Sequence, residues 1–301
     1  MIISKGKHQE LPSEEQAAGI GIYIVATGNI KIIIAAHKKY RMPTDPMYLP
    51  LHVGAEGKKD AEGHDLDLGY TKDNTGDNIS LRNPGFCELT GLYWAWKNLD
   101  ADHLGLVHYR RYFTFGKTGK DPFDSILSNA QAKELLQTAR VLVPVKRRYY
   151  IETLYSHYAH THDGTHLDLT GEIIAETYPQ YLGSFQTVLK QTWGYMFNMM
   201  VMPRGLTDDY CSWLFNILFA LEKKLDEQGP EEHTAFDARL YGRVSEILFN
   251  VWLTQKQQDG TLTAMDIREV PVIYMEPINW RRKILSFLQA KFFHKKYTGS
   301  F

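Results

Sequence analysis

A polar loop, a helix-forming stretch and a short apolar run that ends in cations follow one another between Asp77 and Phe113, and this order most constrains the fold. The loop Asp77-Asn78-Ile79-Ser80-Leu81-Arg82-Asn83-Pro84 leads into Glu88-Leu89-Thr90-Gly91-Leu92-Tyr93-Trp94-Ala95-Trp96-Lys97-Asn98, then into His103-Leu104-Gly105-Leu106-Val107-His108-Tyr109-Arg110-Arg111-Tyr112-Phe113. Asn83 as N-cap, with Pro84 at the first helical position where its missing N–H costs nothing, predicts a capped helix. Leu104, Leu106 and Val107 predict a buried strand in which Gly105 lets a neighbour approach closely. Ligands of open α/β sheets sit beyond the carboxyl ends of the strands, so His108, Arg110 and Arg111 there make a candidate anion site. Guanidinium planes match diphosphate oxygens. Paired arginines after a strand are equally well explained as a solvated edge or a surface ion pair.

A second strand end of the same character weighs against that plainer explanation. The run Lys31-Ile32-Ile33-Ile34-Ala35-Ala36 stops abruptly at His37-Lys38-Lys39-Tyr40, as a buried first strand presenting cations would. Leu51 to Ala55 is a possible short strand, and Gly69 to Asn78 is rich in turn formers and hydrogen-bonding groups. Two cationic strand ends with an Asp/Asn/Thr loop between them suit a nucleotide with a charged diphosphate and a hydroxyl-rich ribose. The donor-side candidates are therefore His37, Lys38, Asp73, Asn74, Asp77, Asn78, Glu88, His108, Arg110 and Arg111.

Composition narrows the class. The chain has 301 residues, is 44% hydrophobic and carries a formal charge of −1, which suits one large α/β domain or two small ones and argues against a general nucleic-acid binder. Cys87 and Cys211 sit in apolar helical contexts and read as core packing in a reducing compartment. The N-terminus lacks a convincing signal peptide and no run approaches the length of a membrane span, so a cytoplasmic location is expected. Ile20 to Ala26 is either an added strand or an artefact of start-site choice.

Further along, helix and strand alternate. Asp121-Pro122 opens a helix toward Leu136, and Val141-Leu142-Val143-Pro144-Val145 reads as a buried strand. His157, His160, His162 and His166 crowd a polar stretch with Asp163 and Asp168 before a helix from Leu169 to Tyr178. Their spacing matches no named zinc motif, and contacts to sugar hydroxyls or phosphate are the preferred reading. Tyr195 to Met202 predicts a strand whose methionines fill the core. Trp193 before it is either core or a platform for a sugar ring. Tyr210 to Gln228 predicts a long scaffold helix stopped by Gly229-Pro230.

The segments from Lys31 to Phe113, together with Asn198-Met199-Met200-Val201-Met202 and Gly242 to Leu253, resemble a bacterial family of capsular and exopolysaccharide glycosyltransferases, long catalogued only as a domain of unknown function. The resemblance covers roughly residues 30 to 255. It implies a GT-A-like, Rossmann-type mixed α/β sheet flanked by helices and transfer of a hexose from a nucleotide sugar, such as a UDP-sugar, to a lipid-linked oligosaccharide. The expected organisation is an N-terminal extension over 1–29 and a transferase domain over 30–275, with a donor-binding half at about 30–145 and an acceptor-side half at about 146–275. A basic amphipathic helix over 276–301 completes it.

Trp193, His160, His162 and Asn198 are the candidates for acceptor binding, and because the resemblance puts acceptor groups late in the chain, Glu231, Glu232, His233, Asp237 and Glu246 are the possible bases. Glu246 and Asp237 are preferred. Ser245 as a helix N-cap would place Glu246 in a first turn, where the dipole favours the ionised form. Transferases of this fold commonly hold Mg²⁺ or Mn²⁺ on an Asp-X-Asp pair at a mid-domain strand end, where this chain has His108-Tyr109-Arg110-Arg111. Asp100-Ala101-Asp102 precedes the strand. Metal-independent stabilisation by arginine is therefore expected, with no cofactor, and a metal on Asp65 and Asp67 is the rival.

The tail from Arg281 to Lys296 has six Lys/Arg and no acid among large apolar residues. Such a segment lies in an anionic membrane surface, here the inner face of the cell membrane, or docks as a terminal helix. A non-catalytic nucleotide-sugar or glycan-binding component is the alternative to an enzyme. A phosphotransferase is disfavoured by the absence of a phosphate-loop motif.

Overall fold

The computed structural model describes residues 28–116, 119–228 and 239–276. The possible strand at Ile20 to Ala26, the candidates Glu231, Glu232, His233 and Asp237, and the basic tail lie outside the described residues.

The chain runs β1 (Ile30–Ala36), β2 (Tyr48–His52), β3 (Thr71–Lys72), α1 (Asn83–Phe86), α2 (Leu89–Asn98), β4 (His103–His108), β5 (Arg111–Phe113), α3 (Asn129–Leu136), β6 (Val141–Pro144) and β7 (Arg147–Arg148). It continues through α4 (Leu154–Thr161), α5 (Thr165–Thr177), α6 (Leu182–Lys190), β8 (Trp193–Gly194), β9 (Met200–Pro203), α7 (Arg204–Gln228), α8 (Leu240–Gln258), β10 (Ile267–Val270) and β11 (Val272–Tyr274). The main sheet has the order β10-β6-β9-β4-β1-β2-β3, with β5 joining β4 to β11 and a separate β7-β8 pair. Strands β1, β2, β3 and β4 pair in parallel, as do β6 and β10, while β9 runs antiparallel between β4 and β6.

Both faces of this sheet are covered, which is why β1 is apolar from Ile32 to Ala36. Ile33 and Ala35 enter a core built with α2, α5, α7 and α8; Ile32, Ile34 and Ala36 enter a second core with Tyr48, Val107, Leu142 and α3. This is the two-residue period of a strand. A Cβ on Gly105 would come within 2.9 Å of the Met200 carbonyl and of Val201 Cγ2, so the glycine lets β9 pack beside β4. Gly91 does the same for α2, where a Cβ would meet Val53 at 2.8 Å and Leu51 at 3.0 Å.

Several boundaries differ from the sequence expectations, each for a local reason. The helix expected from Pro84 breaks at Cys87, whose φ is +52°, and Asn83 sits at the first helical position rather than capping. Its side chain instead donates to the Cys87 carbonyl at 2.7 Å and secures the break. Asp121 caps a short 3₁₀ turn over Pro122–Ser125, and α3 starts afresh with a capping box of Ser128 and Gln131. The strand expected from Tyr195 to Met202 is interrupted because Phe197 (φ +75°) and Asn198 (φ +52°) are left-handed. The histidine-rich stretch is largely helical, with His157 and His160 in α4 and His166 in α5. Ser245 lies inside α8, not at its start, so Glu246 is beyond the first turn and gains no N-terminal dipole.

Candidate active site

The parallel register aligns the carboxyl ends of three strands. Ala35 pairs with His108 and Ala36 with His52, and His37 follows directly, so three histidines share one sheet edge. Burial lowers the affinity of all three for a proton, and for His37 the neighbouring Lys38, Arg110 and Arg239 charges add to it. His108 Nε2 lies 2.6 Å from the Phe197 carbonyl oxygen. A carbonyl only accepts, so Nε2 carries the proton.

Phe197 is the pivot of the site. Its amide donates to Glu246 Oε1 at 3.1 Å, and its ring lies 4.6 Å from the Arg111 guanidinium. The left-handed backbone at Phe197 and Asn198 is thus the local strain that lets one residue reach both His108 and Glu246. Asn198 is buried; it donates to Glu88 Oε1 at 2.8 Å and to the Gly242 carbonyl at 2.9 Å, and accepts from Ser245 Oγ. Both of its amide hydrogens are therefore committed within the fold, one of them to orienting Glu88.

Burial pushes the Glu246 carboxyl up to about 7, the nearby Glu88 charge adding to the shift while Arg147, the Phe197 amide and Arg111 oppose it. This reverses the expectation that a helix dipole keeps Glu246 ionised. Arg239 and Arg243 also feel Glu246, and the spacing Arg239, Arg243, Glu246 sets all three along one side of the entry to α8. That spacing was visible in the sequence and is the signal that would have found the two arginines. Arg147, from β7, had no such signal.

The five guanidinium groups of Arg110, Arg111, Arg147, Arg239 and Arg243 thus lie near three carboxylates, Glu88, Glu246 and Glu276, an excess of positive charge suited to an anion. They differ in commitment. Arg110 pairs with Glu276 at 3.2 Å, and Arg239 donates to Cys87 Sγ. Arg243 donates to His162 Nδ1 at 3.0 Å, so that nitrogen carries no proton. Arg111 lies against the Phe197 and Tyr274 rings with its Nε buried and without a hydrogen-bond partner. A buried guanidinium N–H left unmade is costly, and a ligand oxygen would satisfy it.

The remaining candidates divide. Lys38 Nζ lies 5.4 Å over the Tyr109 ring and the His37 ring meets the same tyrosine edge-on at 5.2 Å, both beside the cluster. Asp73 is fully buried and accepts from the amides of Gly54 (2.7 Å) and Ala55 (3.0 Å) and from Ser80 Oγ and Thr90 Oγ1, so it organises its loop and has no capacity for a ribose. Asn74 donates to Glu56, Asp77 accepts from the Tyr93 hydroxyl, and Asn78 Oδ1 accepts from the Ser80 amide; all three shape the same loop. His160 and His157 both bond to Glu152, apart from His162. Trp193 carries Lys146 Nζ 4.4 Å over its ring on the β7-β8 pair.

Among the described residues no group of three or more His, Cys, Asp or Glu is arranged to hold a metal. Asp65 pairs with Lys59, Asp67 accepts from the Gly69 amide, and Asp102 accepts from the Asn29 amide at the opposite edge of the sheet.

A family model described as "Domain of unknown function (DUF4422)" matches residues 31–258. Among solved structures, the WbbM bifunctional glycosyltransferase in its apo form is 28% identical, with a TM-score of 0.72 over 83% of this chain and 46% of that one. The chain thus spans about half the length of that enzyme. No curated protein matches.

Proposed function

The chain belongs to the DUF4422 family, and from that premise and the guanidinium cluster at the strand ends we propose that it is a hexosyltransferase using a nucleotide-sugar donor. Its likeness to a glycosyltransferase structure supports sugar transfer. The observation that carries the reading within the site is Arg111, whose buried Nε lacks a partner in a cluster otherwise dominated by cations. A donor diphosphate supplies both the missing acceptor and the missing negative charge.

The division of labour follows the two halves of the domain. Residues 30–145 contribute His37, His108, Arg110 and Arg111 to the donor, and residues 146–275 contribute Arg147, Arg243 and Glu246 to the acceptor side. Glu246 takes the proton of the acceptor hydroxyl as that oxygen bonds to the anomeric carbon. The bond from the sugar to the diphosphate breaks, and the arginines hold the departing charge. A carboxylate whose affinity for a proton is raised to about 7 is a stronger base than an ordinary one and is still substantially ionised near neutrality. Asp237 is the rival base. Arginine takes the place of a divalent ion, so donor binding survives excess EDTA; loss of binding that Mn²⁺ or Mg²⁺ restores would redirect attention to Asp65 and Asp67.

The acceptor is a lipid-linked oligosaccharide in capsule or exopolysaccharide synthesis, and the enzyme works at the inner face of the cell membrane. No helix among the described residues is long and apolar enough to cross a membrane. The contact we propose is peripheral, with the basic tail after Arg281 as one contributor. The alternative is a non-catalytic binder of nucleotide sugars. A panel of UDP-, GDP-, dTDP- and CMP-sugars tests both: a selective ligand raises thermal stability by mass action, and slow hydrolysis of that donor without acceptor identifies an enzyme. Stabilisation without hydrolysis or transfer identifies a binder, and no stabilisation by any donor rejects the donor site.

A further inference from the structure

A short finger of chain stands out beside the acceptor side of the site. The sequence Val145-Lys146-Arg147-Arg148-Tyr149-Tyr150-Ile151 has three cations, and the acid that follows, Glu152, is buried against His157 and His160. Tyr150 is 80% exposed and Ile151 70% exposed, whereas Tyr149 behind them is buried. Isolated exposed apolar residues need no explanation. Here two adjacent ones crown a turn that the fold holds firmly.

The Tyr149 amide donates to the Thr192 carbonyl and the Leu154 amide to the Gln191 carbonyl, each at 2.7 Å, so both ends of the finger are tied to the segment entering β8. At the tip, the Ile151 amide donates to the Tyr149 carbonyl at 2.6 Å and Tyr150 adopts φ +58°. A bulky aromatic is rarely left-handed, and this one gains no packing in return. Arg148 is exposed next to the tip, and Lys190 is exposed at its base, one residue before Gln191. Lys146 shares its charge with Glu269 at 3.1 Å.

We propose that this finger is a membrane-docking element: Tyr150 and Ile151 enter the headgroup region of an anionic bilayer while Arg148 and Lys190 face lipid phosphates. A tyrosine with an apolar body and a polar tip, beside an aliphatic side chain and free cations, matches the chemistry of that interface. The placement also has a catalytic sense. Successive residues of a strand face opposite ways; Arg147 acts on the Glu246 carboxylate, and Arg148 is at the surface. The bilayer surface is therefore set beside the acceptor side of the site, where a lipid-held hydroxyl meets Glu246. This inference rests on the reading of the protein as a membrane-peripheral transferase.

The test uses the full chain and needs no sugar. Sedimentation with vesicles of phosphatidylcholine containing phosphatidylglycerol is compared with pure phosphatidylcholine, for the wild type, Tyr150→Ser/Ile151→Ser and Arg148→Glu. Binding to the acidic vesicles is expected to fall by roughly tenfold or more in the double variant and several-fold in Arg148→Glu, with melting unchanged because these side chains are exposed. The basic tail can also bind lipid, so hydrogen exchange supplies a local readout: the amides of residues 148–152 are expected to slow when acidic vesicles are added. Absence of vesicle binding, or vesicle binding that neither slows those amides nor responds to either variant, overturns the proposal. Donor binding, measured without vesicles, tests the transferase reading separately.

Discussion

Glu246 and His108 are held to the two ends of one residue: the Phe197 amide donates to Glu246 Oε1 at 3.1 Å, and the Phe197 carbonyl lies 2.6 Å from His108 Nε2. The first group comes from a helix late in the chain and the second from the end of a central strand. Any movement of that residue moves both, so the end of β4 and helix α8 are mechanically joined at Phe197.

Replacing Glu246 with Gln removes the base and keeps the shape. Turnover is expected to fall by about 10²–10⁴-fold with donor affinity little changed. In the wild type the rate should rise with pH through about 7 and level above it, since the carboxylate must be free of its proton. Near-normal turnover in Glu246→Gln would transfer the role to Asp237.

The same group makes stability depend on pH. Its proton affinity in the folded state is raised above the usual carboxylate range, so the folded chain holds the proton where the unfolded chain has lost it. The stability it contributes is fully present below about pH 4.5 and is lost as pH rises through about 7. Glu246→Gln should therefore be more stable than the wild type at pH 8, by up to roughly 3 kcal/mol, and nearly equal at pH 4.5. Denaturant melts of the two proteins at both pH values check this, and a lower stability of the variant at pH 8 contradicts it.

Arg111 and Arg110 should not be equivalent. Arg111→Ala is expected to weaken donor binding by roughly 10²-fold without affecting binding of the bare nucleoside, and Arg111→Lys should not restore it because the planar fork is lost. Arg110 is half-exposed and shares its charge with Glu276, so Arg110→Ala should cost less. Calorimetric titration with the nucleoside diphosphate and the nucleoside separates the cases; equal donor affinity in Arg111→Ala refutes the assignment.

Asp73 should matter for folding rather than for the donor. In Asp73→Asn the amide NH₂, whichever oxygen it replaces, faces a backbone N–H and a hydroxyl that both now donate to the carboxylate. A loss of about 2–4 kcal/mol in stability is expected, with donor affinity preserved in the folded fraction. A stable variant that fails to bind donor would instead put Asp73 in the site.

The sequence by itself determined the strand ends. An apolar, β-branched run such as Ile32 to Ala36 reads as a strand covered on both faces, and cations placed directly after such a strand emerge at its carboxyl edge, because chain direction and strand period fix both. His37, Lys38, His108, Arg110 and Arg111 were legible for that reason. The tertiary structure decided what each polar group faces. Asp73 and Asn198 have the composition of ligand-binding residues, yet burial among backbone amides commits them to loop and carboxylate positioning. Arg239 and Arg243 share the start of α8 with Glu246, but Arg147 reaches it only because β7 is brought against that helix from far earlier in the chain, a contact that no local pattern encodes. The Glu246 proton affinity is the clearest case: a sequence position near a supposed helix start implied an ionised group, and desolvation in the assembled site raised it instead.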